Sequence, residues 1–319
     1  ANGGTGVLLK NLIISKMAGV LSLADTFELH GNLEYQAGDV EPANSTLVLK
    51  GNSDCVVDSD AVVGNLVINK GSTGTTSGAG VLLADGVRVK GSLVLLSGAL
   101  SLADDGGLFV GRDISFEPGP WQFRANKSTI TLDGTENQAI AFGGQKVNSL
   151  NVANTTGSVS FVDSFSASRI VSVQSGAKVK FGSMQTFEFE RFMANGTASQ
   201  PITLQSLTEG QTWNLCIKQY PAICRYLSVQ DSNAAFANKV YAIGSSDLGN
   251  NQNWQFEVGG LVSVTTGAAS ATSPAWIEGT CRPDTTSITF SALDIQTPAT
   301  RLSHFGWFLD NTNSPMGVA

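Results

Sequence analysis

Carboxylates fall in pairs along this chain: Asp58 with Asp60, Asp104 with Asp105, and Glu188 with Glu190. Glycoside hydrolysis needs two such groups around one bond, one protonated to assist the leaving oxygen and one ionised as base or nucleophile. Asp104, Asp105, Glu188 and Glu190 are therefore the catalytic candidates, and a polysaccharide depolymerase, hydrolase or lyase, is the enzymatic reading. In TFEFERF, inward Phe187 and Phe189 would place Glu188 and Glu190 on the outer side of one strand.

The partners such chemistry requires do not accompany them. The Asn-Thr-Asp, later His-Gly and Arg-Ile-Lys combination of pectinase-like enzymes is missing, and His30-Gly31 precedes the first Asp pair instead of following it. Lyase chemistry needs a calcium site and a basic residue to take the α-proton, and no Lys or Arg stands out for that role. There is no G-x-S-x-G nucleophile elbow. The segment GSTGTTSGAG at 71–80 lacks the lysine of a phosphate loop and reads as a loop between structural units. Solvated surface carboxylates on a non-catalytic protein are the favoured reading.

Oxygen donors also gather at Asp231, Asn233 and Asp247, with Asn250 and Asn251 beside them. Calcium takes six to eight oxygens, so a structural calcium is the ion this group would suit. Asx residues are equally turn formers, and the regular D-x-D-x-D-G spacing is missing. The expectation is no cofactor. The two histidines, His30 and His304, sit in unrelated segments, which disfavours zinc. Of four cysteines, Cys216 and Cys224 flank IKQYPAI, where Tyr220-Pro221 could turn the chain; a Cys216–Cys224 disulfide is the expectation, with two buried free thiols as the alternative.

Composition points to the elements that must position these groups. Only 14% of the 319 residues are charged, 42% are hydrophobic and 35 are glycine. Val, Ile, Thr and Phe suit strands, while Gly, Asn and Ser suit turns. The net charge of −7 supplies no basic stripe for nucleic acid, and no run of 18 apolar residues is long enough to span a membrane. An extracellular β-rich protein is the class expected.

Repetition makes that class specific. GVLSLAD at 19–25 returns as GALSLAD at 98–104, and GAKVKFG begins at Gly176, so the leading glycines are offset by 79 and 78. STLVLKG at 45–51 returns as STITLDG at 128–134, an offset of 83. Apolar residues alternate inside each copy: Leu47 and Leu49, Ile130 and Leu132, Leu66 and Ile68, Leu150 and Val152. Alternation closed by Gly, Asn or Asp marks short half-buried strands, and no helical period appears. Each unit has an apolar face that only a stacked neighbour can bury. The sequence thus predicts an all-β solenoid with a drifting repeat of roughly 80 residues, three or four coils of roughly 20–25 residues per repeat. Paired β-sandwiches are the competing architecture.

The repeat fades after Ser206, and a solenoid end needs covering. Trp213, Tyr226, Trp254 and Phe256 suit a cap over 207–258. In this region ANGTASQPITLQS, YLSVQDSNA and SSDLGNNQNW follow in order from Ala194, Tyr226 and Ser245. Over residues 128–256 the chain resembles repetitive secreted and phage-encoded β-solenoid proteins, bacterial surface adhesin-like and phage tail- or fibre-like. That resemblance implies a right-handed β-helix-like body used for display or attachment, at a cell surface or on a virion.

The expected division is a solenoid at 1–258 and a small β-rich module at 259–319, incomplete on this reading where the chain stops at SPMGVA. In that module Trp276, Phe305, Trp307 and Phe308 form core or, if exposed, a subunit interface. Expected partners are further copies of the chain and a cell-surface or glycan partner.

Overall fold

In a computed structural model, the structure describes residues 8–42, 44–71, 79–117, 121–219, 222–235 and 238–257, and four short strands beyond them. The described residues hold no helix, and parallel sheets wind into a β-solenoid of about ten turns. Each strand pairs with its counterpart one turn later. The separation runs from 14 residues, Val240 to Trp254, to 28, Thr186 to Asn214.

One ladder runs almost the whole length, from Leu8–Leu9 through Thr46–Leu49, Asn65–Asn69 and Lys178–Phe181 to Ser246–Asp247. A nine-stranded ladder forms a second face, from Val62–Val63 through Gly107–Val110, Thr129–Leu132, Lys146–Val152, Phe165–Val173 and Thr186–Ala194 to Trp213–Ile217 and Ser232–Asn233. A third face exists in the first half only, from Leu12–Ser22 to Trp121–Arg124. Near the other end, Ala222–Arg225, Val240–Ile243 and Trp254–Glu257 form a separate three-stranded sheet.

Strand Leu93–Leu102 shows how one sheet becomes two. It pairs with Asn65–Asn69 through Ser97 and with Ile114–Phe116 through Leu95. From Gly98 onward it pairs with Gly80–Leu83 and Trp121–Arg124. The strand turns its corner at Gly98, whose φ is +95°, and a Cβ there would sit 2.5 Å from the Cβ of Lys70. Gly19 and Gly176, the leading glycines of the other copies, also have positive φ, +76° and +83°. The repeated glycine marks a bend or turn that a side chain would strain.

The repeat is less regular than its sequence suggests. GVLSLAD and GALSLAD begin in strands of one ladder, but STLVLKG lies on the long ladder and STITLDG on the nine-stranded one. Turns of unequal length, and the third face inserted between them, move the matching segments to different sides. What recurs is the alternation each strand needs, without a superimposable unit.

Inward side chains form one core from Ile14 to Val240. Its first half is aliphatic, with Leu47, Leu49, Leu66, Ile68, Val81 and Leu83 all at most 1% exposed. Farther along, phenylalanines pack edge-on between turns: Phe142 to Phe165 at 5.2 Å, Phe165 to Phe187 at 5.7 Å, Phe181 to Phe187 at 4.8 Å. Trp213 departs from the cap expected of it. It is fully buried and stacks on Phe181 at 3.9 Å, and its Nε1 donates to the Gln230 carbonyl at 3.1 Å. Trp254 and Phe256, 5.9 Å apart, do pack on the core's edge half-buried.

Among the described residues, parallel pairing ends with Trp254–Glu257. Beyond it Ser263–Thr266 pairs antiparallel with Ile277–Thr280, and Gly306–Phe308 with Pro315–Val318. Trp276 and Phe305 lie outside the described residues, as do the side chains of Trp307 and Phe308.

Candidate functional site

The carboxylate pairs do not converge. Asp104 and Asp105 occupy an exposed turn, with Asp105 at φ +56°. Glu188 and Glu190 point outward from Thr186–Ala194, as the inward Phe187 and Phe189 require. The strand after the Asp pair, Gly107–Val110, is four ladder steps from the glutamates' strand, about 19 Å at 4.8 Å per step. The two acids of a glycosidase stand roughly 5–9.5 Å apart. Glu188 is moreover ion-paired with Lys218 at 2.5 Å, and that contact raises the Lys218 ammonium above its ordinary value.

Several of the remaining aspartates serve the backbone. An Asx residue at the start of a strand, or just before it, repeatedly accepts the amide N–H of the equivalent point one turn on. Asn11 takes that of Asn32, Asn32 that of Val56, and Asp54 that of Gly80. Asn65 takes that of Ser92, Asp85 that of Gly107, Asp113 that of Ala139, and Asn137 that of Ser158. Donor–acceptor distances run from 2.7 to 3.0 Å. Asp163 accepts two, from Phe142 and Gly143. Amides at ladder ends would otherwise lack partners, and a charged acceptor makes the stronger bond. Sequence reasoning missed this device, although the signal was present as an Asx placed just before an alternating run.

The proposed calcium donors are engaged in the same way. Asp231 is 2% exposed, and its oxygens accept from the Gly210 amide at 3.0 Å and from Asn250 Nδ2 at 2.8 Å. Asp247 Oδ1 accepts from Gly249 N–H and Asn251 Nδ2, and Asn233 Oδ1 from Ala235 N–H. Oxygens already facing N–H donors are poorly placed for a cation. Among the described residues no group of three or more His, Cys, Asp or Glu could hold a metal ion.

The expected Cys216–Cys224 disulfide is not formed, and the alternation explains why. Trp213, Leu215 and Ile217 face the core, so Cys216 points outward. Ala222 and Cys224 face inward, and Cys224 is a free buried thiol. Burial pushes its pKa up to about 12. Burial also raises the Cys216 thiol, with the Glu188 charge adding to it. Cys55 is buried and free as well, and Cys281 lies outside the described residues.

Elsewhere the outer surface is built of local pairs. Arg88 lies 4.3 Å over the Phe109 ring and ion-pairs with Asp133, and Arg112 forks onto Glu136 at 2.8 and 2.9 Å. A shallow open depression by Lys16, Met17, Gly19, Tyr35 and Asp39 brings together no catalytic set.

Compared with known proteins, the chain matches no family model, no curated relative and no solved structure.

Proposed function

We propose that this chain is a non-catalytic extracellular structural or attachment protein, a β-solenoid rod of a bacterial surface or a phage tail or fibre that displays its faces and associates with copies of itself. The observation that carries this reading is the use of the polar groups. Asp54, Asp85, Asp113, Asp163 and Asp231 hold backbone amides of neighbouring turns, and Glu188 holds a lysine. Side chains committed to the scaffold are unavailable to a substrate. About ten turns at 4.8 Å give a rod of roughly 50 Å, and solenoids gain length by stacking turns that contact only their neighbours. Solenoid ends and edges also favour self-association where they are not covered.

The depolymerase alternative depends on Asp104, Asp105, Glu188 and Glu190, which stand in two separate places. The reading expects no release of reducing or unsaturated sugar ends from capsular, pectic or other cell-surface polysaccharides. Release abolished by combining D104N, D105N, E188Q and E190Q would overturn it and assign those residues to catalysis.

A further inference from the structure

On the long ladder's outer face two neighbouring lysines stand without counter-charge. Strand Lys178–Phe181 turns Val179 and Phe181 into the core and Lys178 and Lys180 outward. Residues two apart on a strand share a face, about 6.6 Å from one another. Neither lysine has an ion pair or a hydrogen bond among the described residues. Five cations elsewhere, Lys50, Arg88, Lys90, Arg112 and Lys218, each meet a carboxylate. Like charges side by side repel, and a chain with seven more acids than bases leaves this pair unneutralised.

The neighbouring turns surround them with neutral polar groups. Register places Ser158, Thr203 and Ser228 in the row of Lys178. Ser160 and Gln205 flank Lys180. None of these flanking positions is a carboxylate. Ser160, Thr203, Gln205 and Ser228 have no side-chain partner among the described residues, so their hydroxyl and amide groups face outward uncommitted. Hydroxyls and amides both donate and accept, which matches sugar hydroxyls. The rows carry no aromatic platform for bases and no large apolar wedge for lipid. The net charge of −7 disfavours a polyanion as dense as nucleic acid.

We infer that the face around Lys178 and Lys180 binds an acidic polysaccharide whose carboxylates are spaced by neutral sugars, an acid group meeting the lysines and sugar hydroxyls meeting the flanking turns. This rests on the attachment reading above and names its partner. Single exposed ion pairs are weak, so attachment comes from many rods on one polymer.

The probe is hyaluronan, in which uronates alternate with neutral N-acetylated sugars, and binding to it is read by biolayer interferometry on the full chain. Binding is expected at low salt, weakening as salt screens the lysines, with none to neutral dextran. K178Q/K180Q should weaken it roughly tenfold or more, whereas K127Q/K146Q, an equal charge change at exposed lysines elsewhere, should leave it unchanged. Circular dichroism confirms that both variants fold. No binding at low salt, equal binding to dextran, equal loss in both double variants, or tighter lysine-dependent binding to phosphatidylserine vesicles would each overturn the inference. Filaments or surface-attached rods seen by microscopy, with no hyaluronan binding, would remove only the glycan assignment.

Discussion

A thiol turned into a stacked core loses its proton with difficulty, and Cys224 is the clearest instance in this protein. Its folded pKa, pushed up to about 12 from an ordinary value of 9.0, means that between these values the folded chain holds a proton the unfolded chain has released. Stability therefore falls as pH rises from about 9 to about 12. Cys224→Ala, measured by chemical denaturation across that range, should flatten the decline. In the native protein iodoacetamide should label Cys216 and spare Cys224; equal labelling would contradict the inward assignment. The corner glycine is a second residue-level test. Gly98→Ala adds left-handed strain and a clash with Lys70, for an expected loss of about 2–4 kcal/mol. An alanine at no measurable cost would show that the corner lies elsewhere.

At the scale of the element, alternation was legible because each strand has one buried face: Leu47 and Leu49, Ile130 and Leu132, Phe187 and Phe189 all point inward as their spacing implies. The partner of each polar turn residue was not legible. Asp113 acts on Ala139, 26 residues away, and nothing local to Asp113 indicates that distance. Trp213 was misplaced for a related reason: aromatic enrichment suggested a cap, while its position in the alternating run Trp213–Ile217 faces it into the core. These bonds to strand-end amides predict a contrast between aspartates of similar appearance. Asp113→Ala should cost about 0.5–1.5 kcal/mol through its lost amide bond, and Asp85→Ala likewise. Asp104→Ala, at an exposed turn, should stay within about 0.5 kcal/mol of the parent. Thermal or urea unfolding of the three variants reads the difference, and equal effects would deny these amide bonds a structural role.

For the whole molecule, repetition announced a solenoid but not its cross-section. Turns of 14 to 28 residues, a third face present in one half, and corners set by single glycines all vary without disturbing the period-two signal. A scaffold that stacks its turns through a continuous core, and ties their ends with its own acids, suits a part that is built into something larger. Electron microscopy of the native material, with no partner added, tests that account most directly. Rods joined into filaments, or projecting from a virion or cell surface, are the predicted result. Monodisperse single rods attached to nothing would contradict it.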